Sequence, residues 1–153
     1  MKKRYTTAFC LLIYSLTFIV GCTNDSPTPS ADISQLQGQY TTNGLLDPSC
    51  VFISDASQLP SLTITRQPDG TFRLVRTDYI PSKSTNTLDG ASVNITPDTT
   101  FILHDGKQIG KLFMSTFPDF NSPKSRDITA ARLSVMYSDP TAQKFLGYSG
   151  YRR

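Results

Sequence analysis

Four kinds of side chain in this 153-residue chain could do chemistry: three cysteines, one histidine, twelve aspartates and a scatter of serines. Histidine is the usual proton carrier near neutral pH, so any such mechanism must use His104. It stands at the lip of His104-Asp105-Gly106-Lys107, a hairpin-turn sequence, and reads as an exposed turn residue. A Ser-His-Asp triad would need a presented nucleophile, but no Gly-x-Ser-x-Gly elbow occurs; Gly147-Tyr148-Ser149-Gly150-Tyr151 has different spacing. Zinc requires clustered Cys and His, and calcium closely spaced oxygen ligands. The aspartates are instead dispersed through turn sequences, as at Asp47, Asp69, Asp89, Asp98, Asp105 and Asp119. There is no glycine-rich phosphate loop. The expectation is a chain without catalytic residues, metal or cofactor.

The cysteines point to location instead. Lys2, Lys3 and Arg4 precede an apolar run from Ala8 to Val20, which ends at Gly21-Cys22 before the polar Thr23-Asn24-Asp25. Charged start, apolar core and small-residue end are the order of an export signal. The run is short against the roughly 20 apolar residues of an uncleaved span. An ordinary secretory signal with an incidental cysteine is the other alternative. Ile19-Val20-Gly21-Cys22 resembles the lipobox of bacterial lipoproteins: a small aliphatic residue, one variable residue, Gly or Ala, then Cys. That resemblance implies cleavage between Gly21 and Cys22 and a diacylglycerol on the Cys22 thiol. Two or three acyl chains meet the requirement for stable anchoring. Thr23 rather than Asp after the lipid site implies the outer membrane, facing the periplasm, in a host that has one.

Removing Lys2, Lys3 and Arg4 leaves 12 basic residues against 12 acidic ones, so the formal charge of +3 belongs to the signal. A neutral remainder argues against nucleic acid, whose phosphates call for a clustered basic surface. With Cys10 in the signal and Cys22 lipidated, Cys50 is the odd thiol of the folded part. It is either buried in a strand as a small hydrophobe or bridged to a partner by an intermolecular disulfide.

These residues must be held by a scaffold, and its composition is mostly β. All twelve acids are Asp, Trp is absent, and Thr, Val, Ile, Phe and Tyr recur between Gly and Pro. Residues 1–21 read as signal, 22–37 as lipidated Cys and tether with Pro27 and Pro29, and 38–153 as one β-rich domain. Alternation at Leu62/Ile64 and Phe72/Leu74 brackets a Pro68-Asp69-Gly70 turn. A second hairpin is predicted over 100–117 around His104-Asp105-Gly106-Lys107, with further strands at 128–137 and 144–153 and shorter ones at 38–42, 50–54 and 91–96. About eight short strands favour a small antiparallel barrel or sandwich. Gly38 and Tyr40 resemble, in part, the Gly-x-Trp opening strand of lipocalin-like barrels, which set a late basic residue against that aromatic. Arg152 or Arg153 stands in the matching place.

Phe117 and Phe120, among turn residues, and Tyr148 and Tyr151, in the last strand, are the candidate contacts for a partner or ligand. The function expected is a non-catalytic binding or adaptor module of the cell envelope, accessory to an assembly or secretion system, with an envelope protein as partner. A lipocalin-like carrier of a small apolar ligand is the alternative.

Overall fold

A computed structural model of the chain describes residues 33–118 and 126–152, which leaves Gly21, Cys22, Phe120 and Arg153 outside the described residues. Eight strands form a closed antiparallel barrel in which each strand pairs with its sequence neighbours and β1 returns to β8. They are β1 Gly38–Thr41, β2 Ser61–Arg66, β3 Phe72–Asp78, β4 Ser84–Ile95, β5 Thr99–His104, β6 Lys107–Pro118, β7 Asp127–Asp139 and β8 Lys144–Arg152. The barrel alternative of the sequence reading is the one adopted, and closure removes most of the sheet edge that an open sandwich exposes. Among the described residues no helix is long and apolar enough to cross a membrane.

Alternation decides which side chains fill the barrel. Tyr40 stands opposite Leu62, Ile64 opposite Leu74, and Val135 opposite Tyr148, all pointing inward. With Leu36, Phe72, Ile102, Leu133 and Leu146 they form one packed core. Turns fix the register. At Asp105-Gly106 both residues have positive φ, 50° and 72°, the pairing required by a two-residue hairpin whose twist matches its strands. Strand β4 carries an extra residue beside β3, since Phe72 pairs with Ala91 and Leu74 with Leu88. Gly90, at φ 76°, absorbs that bulge and keeps both Leu88 and Ala91 facing inward.

Two local expectations change. The strand predicted over 50–54 does not form; Pro48–Cys50 is a short 3-10 turn capped by the Asp47 carboxylate, which accepts from the Ser49 N–H. Asp before Pro starts a turn more strongly than three apolar residues start a strand. The packed unit also begins earlier than Gly38. Leu36 is buried, and its carbonyl accepts the Tyr40 hydroxyl at 2.8 Å.

Up-and-down connectivity gives the barrel two distinct ends. Ile33–Gln37 enters at one end, which also carries the β2–β3 and β4–β5 turns. The other bears the β1–β2 loop (residues 42–60) and the β3–β4, β5–β6 and β7–β8 turns. The long loop folds back along the outer wall, where Leu46 covers Phe117, Ala130 and Tyr151 in a second, smaller apolar cluster.

Candidate binding groove at the barrel seam

Strand β1 is only four residues long, and its registered pairing with β8 is the single pair Thr41↔Tyr151. Side chains take over where the ladder stops. The Thr42 hydroxyl donates to the Ser149 carbonyl at 2.6 Å, Arg76 Nη1 donates to the Gly147 carbonyl, and Asn86 Nδ2 donates to the Phe145 carbonyl. From β8 the Tyr148 hydroxyl donates back to the Tyr40 carbonyl at 2.8 Å. Three alternate carbonyls of β8, at Phe145, Gly147 and Ser149, are thus satisfied by three different elements.

Arg76 is the unexpected member. It continues the inward phase of Phe72 and Leu74 and stands opposite Leu62, so a cation occupies the mouth of an apolar barrel. Its guanidinium is held by the Asp78 carboxylate, with Nη2 at 2.8 Å and Nε at 3.0 Å. Burial, the largest single influence, disfavours its charge, but the Asp78 hydrogen bonds together with the negative charge of Asp78 and Asp47 more than offset it and raise its pKa. Burial pushes the Tyr148 phenol far above its ordinary value.

Beside this latch lies a groove of about 430 Å³, walled by Leu46 and Pro48 of the long loop and by Met136 and Phe145 of the β7–β8 hairpin. Arg76 and Gly147 form part of its lining. Phe145 is 54% exposed and Met136 66%. A Cβ on Gly147 would lie 2.8 Å from the Phe145 ring and 3.6 Å from the Met136 sulfur, so the missing side chain is what lets that ring lie flat on the strand. The Ser149 hydroxyl, also lining the groove, has no hydrogen-bond partner among the described residues. The arrangement offers an apolar wall with a few polar atoms, which is recognition chemistry.

Of the contact candidates read from sequence, Tyr148 lines the groove, while Phe117 and Tyr151 lie elsewhere. Phe117 belongs to β6 rather than to a loop; it is 5% exposed and packs edge-to-face on Tyr151 with ring centroids 5.1 Å apart. Tyr148 and Tyr151 are buried as well. Cys50 is a free thiol, 2% exposed, and burial, followed by the nearby Asp47 carboxylate, raises its pKa. His104 is less exposed than a turn residue should be: Nε2 lies 3.1 Å from the Asp89 carbonyl and the ring meets Tyr137 edge-on at 4.9 Å. Among the described residues no cluster could hold a metal ion. The late basic residue does meet the early aromatic, with the Arg152 guanidinium 5.6 Å from the Tyr40 ring centre. Arg152 also donates to the Gln37 and Gln35 carbonyls.

No family model, curated protein or solved structure matches this chain.

Sequence reasoning missed Arg76, Met136 and Phe145. A faint signal was available: Arg76 falls on the apolar phase of Phe-Arg-Leu-Val-Arg, where a cation needs a partner.

Proposed function

We propose that the chain is a membrane-anchored envelope lipoprotein whose barrel is a non-catalytic adaptor, docking a protein partner at the end of the barrel away from the tether. The observation that carries this reading is the distribution of exposed apolar side chains. Leu45, Val51 and Phe52 lie on the β1–β2 loop, Ile80 on the β3–β4 turn, and Met136 and Phe145 flank the β7–β8 turn. Phe52 is 94% exposed. Met114 is the one large exposed hydrophobic among the described residues that sits toward the tether end of its strand. Apolar side chains left exposed on three connections that leave the same barrel end favour a contact site there. The packed interior, which Tyr40 and Phe72 help to fill, supports an adaptor over a carrier. The lipobox, Ile19 to Cys22, supports the anchor, and a lipid on Cys22 would hold one barrel end toward the membrane and leave the apolar end facing the periplasm.

Photo-crosslinking in intact cells tests this directly. A photoreactive residue at Phe52 or Phe145 should capture one discrete envelope protein, which the same residue at Met114 should not. Equal capture at all three positions would refute the assignment of the docking end. The Arg152 contact with Tyr40 is the observation that favours a lipocalin-like carrier. Apolar ligand retained by the purified chain in native mass spectrometry would establish that reading instead.

A further inference from the structure

Among the described residues three buried side-chain polar atoms have no hydrogen-bond partner: Asn43 Nδ2, Arg132 Nε and Ser149 Oγ. They come from distant parts of the chain, but the register brings them to one place. Thr41 pairs with Tyr151; two residues on, the same course brings Asn43 to Ser149, whose carbonyl accepts from the Thr42 hydroxyl at 2.6 Å. Across β8, Ser149 stands opposite Ser134 and Tyr151 opposite Arg132, which makes Arg132 and Ser149 diagonal neighbours on the outer wall. Leu46 joins them: it packs with Ala130 and Tyr151 on one side of Arg132, and lines the seam groove with Ser134 and Ser149 on the other.

All three groups donate. Asn43 is 1% exposed, and its Oδ1 accepts from the Leu45 and Leu46 N–H groups at 3.0 and 2.9 Å, so the free end of its amide is Nδ2, a donor only. A serine hydroxyl can turn to donate, and Arg132 adds a positive charge. The ion pairs among the described residues belong to Arg73, Arg76 and His104, and none to Arg132. Asp47, the one carboxylate lining the groove, accepts instead from the Ser49 N–H and hydroxyl, and the groove's own cation, Arg76, is held by Asp78. Buried donors left unpaired are costly, so three of them beside an unneutralised guanidinium fit an anionic acceptor that arrives from outside.

We infer that the seam groove captures the C-terminal carboxylate of the docked partner, with the partner's last, apolar side chain laid against Phe145 and Met136. The groove indicates what carries the carboxylate. Its apolar wall of Met136, Phe145, Leu46 and Pro48 is short, and Met136 and Phe145 are largely exposed, so a long alkyl tail would stay in water. A chain end needs only one apolar side chain covered, and its polar backbone suits the Ser134 and Ser149 hydroxyls. The inference rests on the adaptor reading and names the chemistry of its partner.

NMR titration of the isotope-labelled full chain in nanodiscs of neutral phospholipid tests it, with acetyl-Leu-Phe and its C-terminal amide as separate probes. The free acid should shift the Arg132 Nε–H and Ser149 amide resonances and bind about tenfold or more tightly than the amide, the worth of one charge-assisted hydrogen bond. Arg132→Gln should abolish that preference, and Arg132→Lys should restore part of it. Arg73→Gln, which removes an equal charge elsewhere, should leave it intact. Ser149→Ala, a change of one oxygen, should weaken the acid by about fivefold and leave the amide unchanged. Equal affinity for acid and amide would assign the three donors to bound water and overturn the inference, as would binding of neither probe. Decanoate that binds as tightly as the peptide acid would overturn the peptide class. The docking end is judged separately: a partner crosslinked at Phe145 in undiminished yield by Arg132→Gln would leave the adaptor reading standing and overturn the carboxylate contact.

Discussion

The Tyr148 hydroxyl offers the sharpest test of how the seam is held. It donates to the Tyr40 carbonyl at 2.8 Å, and both tyrosines are buried. Tyr148→Phe removes the donor without changing the ring, so a buried carbonyl loses its partner at a cost of about 1–3 kcal/mol. The pH dependence supplies an independent signature. Burial pushes the Tyr40 phenol up to about 12, against a small opposing pull from Arg152, and pushes Tyr148 higher still. Below the unfolded value of about 10 both states hold these protons, and stability is unaffected. Above it the unfolded chain releases two protons that the barrel retains, so unfolding stability falls by roughly 2.7 kcal/mol per pH unit, twice the 1.36 kcal/mol of a single group. The variant loses one such group, so its slope should be shallower by about 1.4 kcal/mol per pH unit. Tyr137, also raised, contributes equally to both proteins and cancels in the comparison. Urea titrations at a series of pH values between about 10 and 12 read both slopes. Equal slopes, or a variant as stable as its parent at neutral pH, would refute the claim that this phenol closes the barrel.

Other perturbations separate the seam from its surroundings. In Gly150→Ala the new Cβ would collide with the Thr41 carbonyl oxygen and lie 2.6 Å from the Tyr148 ring, so denaturant titration should find a loss of about 1–3 kcal/mol from overpacking. Leu46→Ala removes the cover from Phe117 and Tyr151; about 2–3 kcal/mol should be lost, and limited proteolysis should cut first within residues 42–60. The Cys50 thiol, buried and held above its ordinary pKa, should react with an alkylating reagent no faster than the loop opens. Mass analysis of the Cys50 peptide should show labelling accelerate with urea well before global unfolding.

The strands that sequence made legible are those whose two faces differ. Leu62, Ile64, Phe72 and Leu74 alternate cleanly with polar neighbours and mark β2 and β3, and Asp105-Gly106 marks the turn between β5 and β6. The first half of β4, Ser-Thr-Asn-Thr, carries no such contrast, because it lines the polar barrel mouth where Asn86 bonds to β8. It was invisible for that physical reason. The seam groove was hidden differently: Leu46, Arg76, Met136 and Phe145 come from four separate elements, and only closure of the barrel brings them together. Phe117 drew attention because Pro118 and Asp119 follow it, but the outer face of β7 gave it an apolar surface to cover.

The short β1 also governs the order of assembly. Every other pairing joins strands adjacent in sequence, and such local contacts form early. The Thr41↔Tyr151 pair instead spans nearly the whole domain and must wait until the C-terminal strand has been synthesised. Until then β1 and β7 are both exposed edges, open to pairing with other chains. A chain cut short before Lys144 would keep those edges permanently, and its fate would be aggregation or proteolysis rather than partial function.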